Sequence, residues 1–225
     1  MKKLLKSNIF LFKLWFHFYR KKRGVKPRYF NKNTKFYLDG YPRSGNTFAL
    51  SLIKGVFGEE VFVGHLHAIA PIKIALKKNI SVFILVRCPE EAITSYYLKT
   101  YALNHTKIPE KINHNLLSKL TIEYSDYYKF VIEKKQNFEI IFFNDLVSAP
   151  HNFMDKINNL VFNNKFELDS INLNELISNY SGAKDTLGSS KPNKVKEKIK
   201  KDLKAVLFEL KEYQRAKSLY NKIEN

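Results

Sequence analysis

The chain has 225 residues, enough for one domain with a real core, and its 44% apolar content excludes disorder throughout. A net charge of +18 favours anionic partners, whether nucleic acid, anionic lipid or an acidic substrate. Cys88 is the single cysteine, which excludes an internal disulfide and a four-cysteine zinc site; a cytoplasmic, reducing setting fits, though a bridge-free chain is compatible with any compartment.

The first 23 residues are basic and aromatic. The apolar run 9–19 is interrupted by Lys13 and His17, is too short to span a bilayer and lacks a small-residue cleavage site. Two readings stand side by side. One is an interfacial helix on anionic lipid, giving peripheral membrane contact through residues 1–23, with Arg20-Lys21-Lys22-Arg23 at its end. The other is an amphipathic helix packed on the domain. Residues 24–34, with Gly24, Pro27 and several Asn and Lys, read as a linker. Residues 1–33 are thus an appendage and 34–225 the domain.

Strands then alternate with helices. Strands are expected at 35–38, 61–66, 81–86 and 139–143, and helices at 47–56, 70–78, 89–101, 119–134 and 152–162. Segment 81–86 is apolar on both faces, as a buried parallel strand requires. Pro89 suits the first turn of a helix. This alternation argues for an α/β fold with a mostly parallel central sheet flanked by helices. Residues 181–193 read as a loop, and 194–222 as one long amphipathic helix. Val195, Ile199, Leu203, Val206, Leu207 and Leu210 turn to the core, and the intervening lysines form a solvated face.

Ligands in such sheets bind outside the carboxyl ends of the strands. After the first strand comes Gly40-Tyr41-Pro42-Arg43-Ser44-Gly45-Asn46-Thr47-Phe48, a glycine-bounded loop opening a helix. Loop amides and a helix N-terminus converging this way make a phosphate cradle. Gly40 and Gly45 have Walker A spacing, with Thr47 in the Ser/Thr position, but Asn46 occupies the lysine position. Arg43 is the only cation inside the loop.

The second strand ends in Gly64-His65-Leu66-His67. In extended chain the two imidazoles share a face. One of them can act as a general base; a zinc pair would lack a third ligand nearby; a structural pair is the plain reading. The third strand ends at Arg87, with Ser95 two turns along the next helix. Arg87 is placed to fork onto an anion, or else to pair with Glu90 or Glu91. Two anion sites with a base between them suggest a ligand with two separated phosphate-like groups.

These residues resemble sulfotransferases that use 3′-phosphoadenosine 5′-phosphosulfate (PAPS). The loop from Gly40 to Phe48 is similar to the family's 5′-phosphosulfate loop, commonly Tyr-Pro-Lys-Ser-Gly-Thr-Thr-Trp. Arg87-Cys88-Pro89-Glu90-Glu91-Ala92-Ile93-Thr94-Ser95-Tyr96-Tyr97 is similar to its 3′-phosphate motif, and Asn144-Asp145-Leu146 to a later Glu-Asp-Leu. The resemblance spans roughly residues 35 to 150. It implies a three-layer P-loop-like fold. Pro42, Arg43, Ser44, Gly45, Asn46, Thr47 and Phe48 would hold the 5′-phosphosulfate, and Arg87 and Ser95 the 3′-phosphate. His65 or His67, with the balance towards His65, would be the base, and Arg43 would stabilise the leaving phosphate. No metal is implied. Arg43 replaces the family's loop lysine, Phe48 its tryptophan, and its late Arg-Lys-Gly clamp is missing; Lys191 is the candidate replacement, against a plain basic helix start.

The acceptor would be a small molecule or a glycan, anionic if the net charge serves it, bound by segments around 103–120 and the C-terminal third. A P-loop kinase or NTPase is the first alternative, opposed by Asn46 and by the lack of a convincing Walker B strand. A basic nucleic-acid or membrane-binding module is the second. No stacking signature or helix-turn-helix accompanies the charge, so no specific nucleic acid is expected.

Overall fold

The computed structural model describes residues 2–23, 30–58, 61–64, 66–104, 111–173, 175–176 and 194–225. Four parallel strands form the centre: β1 (Phe36–Gly40), β2 (Phe62–Gly64), β3 (Ser81–Val86) and β4 (Glu139–Phe142), in spatial order β2-β1-β3-β4. Gly40 lies opposite Leu85, and Val86 opposite Phe142. Period-two alternation sends Phe36, Leu38, Phe83 and Leu85 to one face, and Tyr37, Val82, Ile84 and Val86 to the other. Both faces are therefore covered, as all-parallel sheets require.

The chain changes direction across the sheet at β1. It moves outward to β2 through α3 (Asn46–Phe57), then crosses back past β1 to β3 through α4 (Ile69–Lys77). Right-handed crossovers demand that this reversal put the two helices on opposite faces. Indeed, Ala49, Leu52 and Ile53 of α3 join the core on one side, and Ala70, Ile72 and Ala75 of α4 the other. α8 (Pro150–Phe162) shares the first side with α3, after the short α7 (Phe143–Ser148). On the second side lie α5 (Pro89–Asn104), α6 (His114–Glu133), α9 (Lys194–Glu209) and α10 (Lys211–Glu224). The expected three-layer α/β architecture is thus present. The reversal leaves a crevice between the carboxyl ends of β1 and β3, where open α/β sheets bind ligands.

Several details differ from the sequence reading. The second strand stops at Gly64 rather than Leu66, and beyond it His67 has a left-handed φ of 48°, not the extended backbone expected there. α6 begins at His114, five residues early, because Asn113 caps it by accepting from Leu116 N at 2.9 Å. The single C-terminal helix is two, broken at Leu210, whose extended ψ of 131° starts α10. Nor are the α9 lysines uniformly solvated: Lys196 is 3% exposed, and Lys200 and Lys204 lie against Glu91. Leu203 and Leu207 face the core as expected, with Ile199, Val206 and Leu210 partly buried; the side chain of Val195 lies outside the described set.

The segment before the domain forms α1 (Lys2–Ser7) and α2 (Ile9–Arg23). Phe12 and Phe16, one helical turn apart, insert into the α4-side core, stacked at 5.4 Å between ring centroids. Lys73 Nζ of α4 donates to Ser7 O at 3.1 Å. Packing on the domain therefore holds for one face of this segment.

Candidate active site

The loop between β1 and α3 is shaped by two glycines. Gly40 lies so close to β3 that an added Cβ would stand 2.4 Å from Leu85 O. Gly45 is left-handed, at φ 91°, and its open side is closed by Phe143 and Leu146, each 3.0 Å from an added Cβ. Only glycine meets both demands without strain. The first backbone bond of α3 runs from Ala49 N to Gly45 O at 3.0 Å. The amides of Asn46, Thr47 and Phe48 thus precede the helical ladder, and the N-cap residue Gly45 has no side chain to accept from them. A helix start of this kind offers donors that an anion can accept from.

The loop side chains divide by role. Ser44 is fully buried, with Oγ 3.3 Å from the Tyr128 hydroxyl. Asn46 is 3% exposed and turns inward, donating from Nδ2 to Tyr41 O at 3.2 Å. In the Walker lysine position, then, stands a side chain that staples the loop from inside. Its Oδ1 is buried and has no hydrogen-bond partner among the described residues. Pro42 is buried, Phe48 packs partly on the α3-side core and Thr47 is exposed. Arg43, also left-handed at φ 72°, leaves the loop sideways, and its Nε donates to Ser95 Oγ at 2.9 Å.

Arg87, at the end of β3, ties this loop to α5. One guanidinium nitrogen donates to Arg43 O at 3.0 Å and the other to Glu91 Oε2 at 3.4 Å. The guanidinium lies 4.0 Å over the Phe143 ring. The predicted pairing of Arg87 with a neighbouring glutamate is therefore real, and coexists with its bond to the loop. Glu91 also receives Lys200 and Lys204 from α9. Burial works against the Glu91 charge, but the Lys204 hydrogen bond and the charges of Lys200, Lys204 and Arg87 outweigh it and hold the carboxyl below its ordinary range. Arg87 is itself lowered, first by burial, with Glu91 opposing.

Several residues of this site had no role in the sequence reading. Lys99 lies one turn beyond Ser95 on α5. Burial first, and then the Arg43 charge, hold its ammonium below the ordinary lysine value. The i, i+4 spacing from Ser95 was the available signal. Tyr124 donates to Arg87 O at 2.8 Å and Tyr128 to Leu85 O at 2.8 Å, so α6 pins the end of β3. Burial raises both phenols well above ordinary tyrosine, which keeps them neutral donors. No local pattern marks them, since their partners lie 37 and 43 residues away.

His67 sits beside the loop, with Nδ1 2.7 Å from Gly40 O and 3.4 Å from Asp39 Oδ1. Both neighbours are acceptors, which assigns a proton to Nδ1. Asp39 is fully buried, accepting from Tyr37 OH at 2.5 Å and Gly40 N at 2.9 Å. His65 and Lys191 lie outside the described residues. Among the described residues there is no group of three or more metal-ligating side chains.

His67 also lines a cavity of about 540 Å³ between α1, the start of α4 and α6. Tyr41 and Pro42 of the loop form part of its wall. Lys6, Lys119 and Lys129 face it, balanced by Glu123, Asp126 and Glu133, with Ile69, Ile122 and Phe130 between them. Of the segment 103–120 expected to shape such a space, Asn115, Ser118 and Lys119 contribute.

No protein-family model and no curated protein matches this chain. Among solved structures, that of mouse sulfotransferase SULT7A1 complexed with PAP aligns at TM-score 0.49 and 12% identity, covering 84% of this chain and 90% of that one. That likeness is too distant to assign chemistry.

Proposed function

We propose that this chain is a sulfotransferase. It would transfer a sulfuryl group from PAPS to a hydroxyl or amine of an acceptor held beside His67. One observation carries the reading: the two motifs on separate strand ends interlock. Arg87 donates to the Arg43 carbonyl, and Arg43 donates to Ser95. The helix-start amides, the cations Arg43 and Arg87, and Lys99 one helical turn beyond Ser95 are the kinds of donor that a doubly phosphorylated nucleotide needs, which supports the reading.

Bound PAPS would supply a sulfuryl group on a phosphate leaving group. The amides of Asn46, Thr47 and Phe48 hold its 5′ end, and Arg87 and Ser95 the 3′-phosphate. His67 Nε2 takes the acceptor proton as the acceptor oxygen or nitrogen bonds to sulfur and the sulfur–phosphate-oxygen bond breaks. The Gly40 carbonyl and Asp39 steady the imidazolium that forms, through Nδ1. Arg43 meets the charge growing on the departing phosphate oxygen, so fixed donors supply most of the rate. The balanced charges and apolar patch of the cavity favour an acceptor with an apolar body bearing the nucleophile, rather than the acidic glycan suggested by net charge.

Titration calorimetry tests the donor: adenosine 3′,5′-bisphosphate should bind and ATP should not. The reverse pattern would support a kinase and sink the proposal. With labelled PAPS and a panel of phenol, lipid-alcohol and glycan acceptors, His67→Ala should lose transfer while keeping bisphosphate affinity. Full activity of that variant would remove His67 from the mechanism.

A further inference from the structure

The charge of this protein is strongly local. Residues 1–38 contain twelve Lys or Arg and no Asp or Glu, the first acidic residue being Asp39. Two-thirds of the net +18 therefore lies in the first 38 residues, eight of the twelve cations in the sequence of α1 and α2, and the remaining 187 residues carry only +6 (27 basic less 21 acidic).

The same helices present apolar side chains outward. At 100° per residue, Phe12 and Phe16 of α2 point into the core. Phe10, Leu14 and Phe18 recur every four residues on the opposite side, at 72%, 48% and 62% exposure. Trp15 flanks this stripe at 41%, and Leu4 of α1 is 61% exposed. Lys13 and His17, both exposed, lie between the outward stripe and the core face. Asn8 fixes the stripe's bearing: its Oδ1 caps α2, accepting from Phe10 N at 2.9 Å and Leu11 N at 3.1 Å. No helix among the described residues is long and apolar enough to cross a membrane.

We infer that the α1–α2 pair is a docking surface for an anionic lipid bilayer. The outward stripe enters the headgroup–acyl boundary while the basic charge of the segment is drawn to lipid phosphates. Charge complementarity selects this occupant. A second copy would set this basic segment against itself across a two-fold axis, with no Asp or Glu among residues 1–38 to offset it. A nucleic acid would satisfy the cations but leave Phe10, Leu14 and Phe18 in water. Docking also has a geometric consequence. Lys6 and Ser7 of α1 line the cavity that contains His67, so the bilayer would lie beside that cavity's rim.

Trp15 is the only tryptophan in the chain and reports on the docking face directly. The full-length protein is mixed with vesicles of phosphatidylcholine alone, or of phosphatidylcholine with phosphatidylglycerol. Binding is read by co-sedimentation and by Trp15 emission with brominated lipid as a depth-sensitive quencher. The expected result is binding to the anionic vesicles, a blue shift and quenching, with little binding to neutral ones. The triple variant Phe10→Ser/Leu14→Ser/Phe18→Ser should bind at least about tenfold more weakly. Those positions are exposed, so its melting temperature should stay near wild type. Equal partitioning with and without anionic vesicles would overturn the inference, as would unquenched Trp15 or an unaffected triple variant. Sedimentation velocity and an RNA titration close the other outcomes. A dimer abolished by the triple variant would assign the stripe to a second copy, and RNA binding without vesicle binding would assign the charge to nucleic acid. None of these readouts uses sulfuryl transfer, so the inference stands or falls separately from the proposed function.

Discussion

Replacing Glu91 by glutamine should destabilise the protein through one carboxylate that serves three cations. Glu91 receives Arg87 at 3.4 Å, Lys200 at 3.5 Å and a close contact from Lys204. Its side chain is 26% exposed, and those of Arg87 and Lys200 are 18% and 14%. An exposed pair contributes about 0.2–1 kcal/mol, and removing one partner of a buried pair costs about 3–5 kcal/mol. A hub three-quarters withdrawn from water falls between these limits, near 2 kcal/mol. For a domain of this size that is about 4–8 °C in Tm.

The pH dependence follows from the direction of the shift. The folded carboxyl lies below the ordinary 4.5, so the stabilisation is fully present above 4.5 and is lost as pH falls through the folded value. The gap between Glu91→Gln and wild type should therefore be widest at neutral pH and close in acid. Partial burial should let it survive moderate salt. Calorimetry of both proteins from neutral pH into the acid limb is the assay. A variant melting within about 1 °C of wild type at neutral pH and low salt would refute the reasoning.

Gly45→Ala forces a Cβ into φ 91° and against Phe143 and Leu146; the left-handed strain alone is about 1–2 kcal/mol, and thermal unfolding should show the loss. Tyr128→Phe removes the donor to Leu85 O and should cost about 1 kcal/mol, read as a lower urea midpoint at unchanged m. Lys99→Met should move two quantities in opposite directions, raising ligand-free stability and weakening bisphosphate binding. The wild-type ammonium is disfavoured by burial and by Arg43, so relief should be largest at pH values where Lys99 is still charged. A fall in both quantities, by melting and calorimetry, would count against placing Lys99 at the anion site.

Much of the sheet was legible in the residues, because period-two and period-3.6 patterns are local records of burial. The run Val82–Val86 could only be a buried strand, and Leu203 and Leu207 could only face inward. The boundaries that failed depend on conformations that pattern does not encode. His67 needed a left-handed backbone, and Leu210 an extended one in the middle of a helical period. The lysine face of α9 misled because Lys200 and Lys204 are partnered by Glu91, 109 and 113 residues away.

The amino-acid order alone determined an α/β chain with glycines bounding a loop before a helix, an arginine leaving a buried strand and a basic aromatic segment ahead of the first strand. Those features follow from side-chain chemistry and near-neighbour spacing. Only the tertiary structure decided that Asn46 turns inward, that Arg87 and Ser95 both engage Arg43, and that His67 meets the Gly40 carbonyl. It also decided which face of α2 is left to water. In each case the reason is the same: the partners are distant in the chain, and the direction of a side chain is set by what the folded sheet brings within hydrogen-bonding or packing distance.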